Sequence, residues 1–102
     1  MAIETSASPR IVWMLHEKAV QIIHQARITE DRIKQRELIT IVQNILAQLE
    51  YSLKVTDQLS QGLFYLYDYC YSLLESDVTQ KHAIAATILA TLRDTFGELL
   101  RQ

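Results

Sequence analysis

The side chains that could do chemistry in this chain are three histidines, one cysteine and a few carboxylates. His16, His24 and His82 lack the His-Glu-x-x-His spacing that places two zinc ligands on one helix face. Cys70 cannot complete a tetrahedral metal site alone, and its apolar helix face favours a small buried side chain over a reactive thiolate. The sequence therefore predicts no metal, no cofactor and no catalytic site.

Phosphate binding and acid-base catalysis also lack a motif. The two glycines are too far apart to form a phosphate-binding loop. Glu30 and Asp31 stand at a helix start, where carboxylates interact favourably with the helix dipole. Glu17 and Asp68 would act as acids only inside a pocket, which no pattern indicates. The chain is predicted not to be an enzyme.

Composition limits the fold and the partners. The 102 residues are 49% hydrophobic and 22% charged, which suits one domain with a modest core. Because the formal net charge is only -2 and the basic residues are scattered, nucleic acid is not expected as a partner. A single cysteine, no signal-like start and no membrane-spanning apolar run favour a cytoplasmic protein without membrane insertion. We expect a flexible arm over residues 1–8 and one domain over 9–102.

Helices are predicted for nearly the whole chain, because two glycines and one proline are too few for the turns of a sheet protein. Polar breaks divide the sequence into four helical segments with short connections. This pattern predicts an all-α fold, an antiparallel up-and-down four-helix bundle. The expected boundaries are Ser8 as cap and Pro9 as first residue of helix one, an end near Arg27 or Ile28, Thr29-Glu30-Asp31 at the start of helix two, a break from Lys54 to Gln58, an end of helix three near Glu75 or Ser76, and Ser76-Asp77 and Thr79 as caps of helix four.

Apolar residues at helical spacing predict the inner face of each helix. For helix one these are Ile11, Leu15, Ala19, Ile22, Ile23 and Ala26; for helix two Leu38, Ile39, Val42, Ile45, Leu46, Leu49 and Leu53; for helix four Ile84, Ile88, Leu92, Phe96 and Leu99. Residues predicted to lie away from these faces are Trp13 and Val20, Ile41 and Tyr51, and the small side chains Ala83, Ala86, Ala90 and Gly97.

The third helix has more apolar surface than its own packing needs. With about 100° of rotation per residue, its apolar and aromatic arc is roughly 260° wide. A packed helix needs a stripe of only about 100°. One face carries Leu59, Leu63, Leu66, Cys70 and Leu73, flanked by Tyr65 and Tyr69 on one side and by Phe64, Tyr67, Tyr71 and Leu74 on the other. Part of this surface is therefore expected to meet either a second layer of protein or a partner.

Three segments resemble one protein family. Ser6 to Pro9 with Trp13 to Glu17, then Leu49 to Leu53, then Leu63 to Cys70 with its Leu-Tyr-Asp-Tyr core, are similar to the flagellin-specific secretion chaperones, the FliS family. The segments have the same order and similar spacing, from about Ser6 to the Arg93–Phe96 region. The sequence departs from the family pattern at His16 (usually Tyr), Gly62 (Asn), Cys70 (Met) and Tyr71-Ser72 (often Arg-Arg), and it lacks the tyrosine-bearing N-terminal arm of many members.

The resemblance implies a non-enzymatic chaperone that binds the disordered C-terminal segment of flagellin, blocks its premature polymerisation and delivers it to the flagellar type III export apparatus. The implied partners are flagellin and that apparatus, with a co-chaperone as a further candidate. Helical wheels then predict client-binding residues: Ile41, Tyr51, Tyr65 and Tyr69 in one groove, and Ala86 and Ala90 at another contact. Two other readings remain: a histidine phosphotransfer bundle, although His24 and His82 lack the following Lys and Gly, and a structural bundle that dimerises through the aromatic helix.

Overall fold

Four helices account for most of the chain in the computed structural model, which describes residues 3–100 and the side chains of residues 3–98. They are α1 (Pro9–Ile28), α2 (Arg32–Ser52), α3 (Gln58–Glu75) and α4 (Thr79–Leu100). α1 packs against α2 and α4, and α3 packs against the same two helices. The short connections make consecutive helices antiparallel, so the predicted up-and-down four-helix bundle is confirmed. The bundle measures 42 × 24 × 19 Å.

The helix ends follow the capping residues, with two reassignments, one at the start of α2 and one at Thr79, which was predicted as a cap and is the first residue of α4. Ser8 caps α1 and Pro9 occupies its first turn, as predicted. The cap of α2 is Asp31, whose carboxylate accepts backbone N–H bonds. The Thr29 hydroxyl was expected to serve this start as well, but it donates instead to the Gln25 carbonyl at 2.7 Å. Thr29 thus closes the last turn of α1, where carbonyl groups lack helical partners.

A reciprocal capping box fixes the start of α3. The Asp57 carboxylate accepts from the Ser60 backbone N–H at 2.8 Å, and the Ser60 hydroxyl accepts from the Asp57 N–H at 3.1 Å. These bonds to Ser60 lower the pKa of the Asp57 carboxyl because they favour its charged form. Ser60 is itself buried, so the box sets the register in which α3 enters the bundle.

The core confirms the predicted face of α2 and corrects the other faces. On α2 all predicted inner positions are buried except Leu38, which is half-buried. The buried hydrophobic residues are Val12, Ala19, Val20, Ile23 and Ala26 on α1; Ile39, Val42, Ile45, Leu46 and Leu49 on α2, with Leu53 just after it; Leu63, Tyr67, Cys70, Leu73 and Leu74 on α3; and Ala85, Ala86, Leu89 and Phe96 on α4.

On α1 the buried stripe is rotated from the predicted one. Ile11 is exposed and Val20 is buried, the reverse of the prediction, and Leu15 and Ile22 are half-buried. The reason is His16, which is fully buried and brings Val12 and Val20 inward with it. A pattern of apolar residues cannot predict a buried face centred on a histidine. A buried polar group needs a hydrogen-bond partner, and the pattern does not show one.

On α4 the prediction is confirmed for Phe96, which is buried, and the rest of the stripe is rotated for a different reason. Ile84 is exposed, Ile88 and Leu92 are half-buried, and the buried face contains Ala85 and Ala86. Small residues allow the neighbouring helices to approach closely, so the tightest face of a helix need not carry its largest side chains. Leu99, also predicted to point inward, lies outside the described side chains.

The segment before α1 is attached to the bundle. Thr5 pairs with Leu53 in an isolated antiparallel bridge. The Ser6 N–H donates to the Ser52 carbonyl at 2.8 Å, and the Lys54 N–H donates to the Glu4 carbonyl at 2.9 Å. A flexible arm was expected over residues 1–8; residues 4 to 6 are instead held by backbone hydrogen bonds. The division into an arm and one domain otherwise stays a prediction.

Candidate functional site

Exposed aromatic side chains on α3 are the first component of the candidate site. The side chain of Tyr65 is 60% exposed and that of Tyr69 is 51% exposed. Tyr67, between them, is 1% exposed and belongs to the core. Both Tyr65 and Tyr69 were predicted to bind a partner, and the structure places them on the outer face of the helix, where a partner can reach them.

An apolar groove between α3 and α4 is the second component, and the sequence analysis missed it. It has a volume of about 370 Å³. Its lining residues are Ile3, Gln58, Leu59, Gly62, Leu63, Leu66, Leu92 and Thr95. Leu59 and Leu66 were predicted to share the apolar face of the third helix, and they are 39% and 40% exposed. The excess width of the apolar arc was the signal, but a wheel cannot tell which edge of the arc faces solvent.

Gly62 lines this groove. A Cβ atom added at Gly62 would meet no atom within 4 Å, so the position faces open space rather than a packed neighbour. A glycine inside a helix costs roughly 0.5–1 kcal/mol relative to alanine. No packing contact or special backbone conformation at Gly62 offsets that cost.

The other two predicted groove residues lie on α2. Ile41 and Tyr51 are both exposed, Tyr51 at 92%. They are ten positions apart on α2, which corresponds to about 15 Å of rise and about 80° of rotation. The concave surface next to Tyr65 is lined by Val55, Gln61 and Phe64 and includes neither of them. The exposure of Ile41 and Tyr51 fits the prediction, and their participation in one groove with Tyr65 stays a prediction.

The predicted small-residue contact on α4 is not an open face. Ala86 is 4% exposed and packs in the core, and Ala90 is half-buried against it. A Cβ atom at Gly97 would lie 3.3 Å from the indole nitrogen of Trp13, so Gly97 packs against α1. The prediction that Ala86 lies on the outer face is wrong, because these small residues serve helix packing inside the bundle. Its side chain cannot touch a partner in this structure.

A buried polar pair lies beneath the aromatic surface. His16 Nδ1 donates to the Val12 carbonyl at 2.7 Å, which leaves Nε2 as the acceptor for the Tyr67 hydroxyl at 2.9 Å. The His16 ring stacks on Phe96 with centroids 5.1 Å apart. Burial lowers the pKa of His16 and raises the pKa of Tyr67, so both groups are neutral at ordinary pH. The His16–Tyr67 pair links α1 to α3, and the stack of His16 on Phe96 adds a contact with α4.

The neutral state of His16 predicts a pH dependence of stability. Because the folded-state pKa of His16 lies below the ordinary value of 6.5, the unfolded chain binds a proton first as pH falls. The contribution of His16 is complete above about pH 6.5 and declines below it, by at most about 1.4 kcal/mol per pH unit. Urea unfolding at about pH 7.5 and about pH 5.5 measures this loss.

Two glutamine variants isolate the contribution of His16. His16→Gln should flatten the pH dependence in this range, because it removes the group that protonates only on unfolding. His24→Gln, at an exposed position on the same helix, should keep it. Equal slopes for both variants would contradict the assignment.

Other reactive groups are unsuited to catalysis. Burial raises the pKa of the Cys70 thiol to about 12, so it stays protonated and inert. His82 is buried, which disfavours it as a phosphoryl acceptor, whereas His24 is exposed.

Among the described residues no group of three or more His, Cys, Asp or Glu side chains could hold a metal ion. Within residues 3–100, no helix has the combination of length and apolar character needed to span a bilayer.

Comparison with known proteins identifies the family. A protein-family model described as "Flagellar protein FliS" matches residues 1–102, the whole chain. No curated protein matches the chain. The match covers the same segments that carry the sequence resemblance, including the Leu-Tyr-Asp-Tyr core of α3. The chain therefore belongs to the FliS family, whose members are flagellar export chaperones and not enzymes.

Proposed function

We propose that this chain binds the disordered C-terminal segment of flagellin, prevents its premature polymerisation and hands it to the flagellar type III export apparatus. The observation that supports the proposal is the apolar and aromatic surface of α3, which the bundle leaves partly exposed at Leu59, Leu66, Tyr65 and Tyr69. Flagellin is the client because the family is one of flagellar export chaperones. In this proposal the chaperone acts in the cytoplasm, before export.

The groove and the tyrosines suit an amphipathic client. Leu59 and Leu66 offer aliphatic contacts along the edge of α3, and Tyr65 and Tyr69 extend the surface outward. An amphipathic helix can lay its apolar stripe into such a groove. Tyrosines give large contact areas with few rotatable bonds and keep a hydroxyl for water when no client is bound. Such a surface can bind an apolar segment, and its hydroxyl groups remain hydrated when the segment is absent, which disfavours aggregation.

Two carboxylates lie near each other beside this surface, on the side of α3 that faces α2. Glu50 precedes Tyr51 on α2, and Asp68 precedes Tyr69 on α3. Partial burial, together with the negative charge of Asp68, raises the pKa of the Glu50 carboxyl. Neither carboxylate forms an ion pair within the described part of the chain. A Lys or Arg side chain in the client would relieve this repulsion, so the bound segment is expected to carry one.

Moderate affinity follows from the disorder of the client. A disordered segment loses conformational entropy when it orders on the chaperone, so it binds more weakly than the buried area alone suggests. Release at the export apparatus therefore needs no covalent or nucleotide-driven step on this chain.

Titration of a labelled flagellin C-terminal peptide tests the proposal. We expect saturable binding to the parent chain, and about tenfold weaker binding to Tyr65→Ala and to Tyr69→Ala, because central aromatic side chains commonly contribute more than 1 kcal/mol to an interface. Ile28→Ala is the control, since Ile28 is highly exposed at the end of α1. Circular dichroism verifies that all variants remain helical.

Two results would contradict different parts of the proposal. No binding of the peptide to the parent chain would contradict the function. Binding by the parent with unchanged affinity in both tyrosine variants would contradict the placement of the client on α3 and leave the function intact. Tyr51→Ala and Ile41→Ala in the same titration decide whether the client also reaches α2.

A further inference from the structure

The segment before α1 contributes a side chain to the groove between α3 and α4. Ile3 lines that groove together with residues of both helices. The Glu4 carbonyl accepts from the backbone N–H of Lys54, which lies four residues before the start of α3 at Gln58. Ile3 is therefore placed at the end of the groove where α3 begins. Residues 3–7 are called the N-terminal segment below.

The N-terminal segment has one face toward the bundle and one toward solvent. Ile3, Thr5 and Ala7 are half-buried, whereas Glu4 and Ser6 are exposed. Such alternation is expected of an extended chain, in which successive side chains point in opposite directions. Ile3 and Ala7 pack against the hydrophobic core. The side chain of Ile3 is thus directed at the bundle, although it precedes the first helix.

Backbone hydrogen bonds hold this segment on both sides of Thr5. The Ser6 N–H donates to the Ser52 carbonyl at 2.8 Å, and the Lys54 N–H donates to the Glu4 carbonyl at 2.9 Å. Between these two bonds Thr5 and Leu53 form a non-hydrogen-bonded pair of an antiparallel bridge. Leu53 is itself buried, so the bridge ties the segment to the core. The residue next to Ile3 is one of those that are held.

The groove is open while the N-terminal segment is in place. Its volume of about 370 Å³ is measured with Ile3 as part of the lining. Leu59 and Leu66 keep 39% and 40% of their surface exposed beside it. A segment that plugged the groove would cover these leucines. A client can therefore reach them without displacing residues 3–7, and displacement would break two backbone hydrogen bonds and uncover Leu53.

We propose that the N-terminal segment stays attached when the client binds and that Ile3 is a client-contacting residue. This inference rests on the proposed function, in which the client is the C-terminal segment of flagellin. Ile3 then forms a fixed wall at the α3 start of the groove. Because Leu59 and Leu63 line the groove with it, the client side chain that meets this wall is apolar.

A disulfide across the bridge tests whether the segment stays. Paired positions of this type have Cα atoms about 4.5 Å apart, within the span of a disulfide. A labelled flagellin C-terminal peptide is titrated against the double variant Thr5→Cys, Leu53→Cys, oxidised and reduced. We expect affinities equal to within about twofold. At least about tenfold weaker binding to the oxidised form would show that the client displaces the segment, and would overturn the proposal.

The reduced form of the same variant is the control for the loss of the Leu53 side chain. The natural cysteine does not compete for the new bond, because Cys70 is buried.

An alanine variant tests the contact itself. Ile3→Ala removes most of an aliphatic side chain from the groove and should weaken peptide binding at least about threefold. Ile11→Ala makes the same change at an exposed position near the start of α1, outside the groove lining, and should bind as the parent does. Parent-like affinity of Ile3→Ala would overturn the assignment of Ile3.

Amide hydrogen exchange on the parent chain gives the same answer without substitutions. The Ser6 and Lys54 amides, which donate the two bonds, should be at least as protected in the peptide complex as in the free chain. Faster exchange of both in the complex would overturn the proposal. A parent chain that binds no peptide would contradict the proposed function and this inference with it, whereas binding combined with any of the opposite results contradicts this inference alone.

Discussion

Replacing Tyr67 by alanine is expected to lower the free energy of unfolding by about 3–5 kcal/mol. Tyr67 is the largest fully buried side chain in the described part of the protein, and its hydroxyl bonds to His16 at 2.9 Å. The variant loses the apolar burial of the ring and leaves His16 Nε2 without a donor in the core. Because small domains are stable by only 5–15 kcal/mol in general, the loss should be evident in urea or thermal unfolding.

Two further variants separate the contributions of Tyr67. Tyr67→Phe keeps the ring and deletes only the hydroxyl, so it should cost about 1–3 kcal/mol, the penalty of an unsatisfied buried acceptor. Tyr69→Ala is the matched control, because it makes the same change two positions along on the exposed face. If Tyr67→Ala were no less stable than Tyr69→Ala, the rotation of α3 described here would be wrong.

Replacing Leu66 by aspartate is expected to weaken binding of the flagellin C-terminal segment by at least about thirtyfold, or about 2 kcal/mol. The substitution removes an aliphatic contact from the centre of the α3–α4 groove. It also forces a carboxylate to lose its hydration when an apolar client side chain covers it. Since Leu66 is substantially solvent-exposed in the free chain, the bundle itself should stay folded. Peptide titration gives the affinity, and thermal unfolding verifies the fold.

Ile33→Asp provides the control for Leu66→Asp. Ile33 is more exposed than Leu66 and lies in the first turn of α2, outside the groove. It receives the same charge and loses a similar aliphatic side chain. Equal affinity of the two variants would show that the added charge, and not its place in the groove, determines binding.

The sequence predicts the architecture of this chain well and the rotation of its helices less well. The scarcity of glycine and proline, and caps such as Ser8, give four helices with nearly correct ends. α2 is oriented correctly because its apolar stripe is narrow and all aliphatic. The buried faces of α1 and α4 are rotated from the predicted ones, because contacts with residues distant in sequence determine them. On α1 His16 is buried against Tyr67, and on α4 Ala85 is buried by close helix packing. The local periodicity of the sequence cannot indicate these contacts.

The same limit applies to the candidate site. Tyr65 and Tyr69 are exposed, as expected for a helix whose apolar arc is wider than ordinary burial can use, and their contact with a client stays a prediction. The groove at Leu59 and Leu66 was missed, since leucine is normally a core residue and only the position of α4 decides whether it is covered. The error at Ala86 is the opposite one, because this residue was predicted to be exposed and is buried. A small side chain on a helix is compatible with bare surface and with the closest packing in the molecule.

In the proposed function, the length of the bundle limits how long a helical segment of the client can lie along it. At 1.5 Å per residue, a straight helix of about 28 residues reaches from one end of the 42 Å body to the other. A shorter peptide has to leave part of the outer surface wet, whereas a longer one has to turn a corner and pass to another helix pair. The affinity should therefore rise with peptide length in steps. Each step marks the peptide length at which a further segment of the client contacts the bundle.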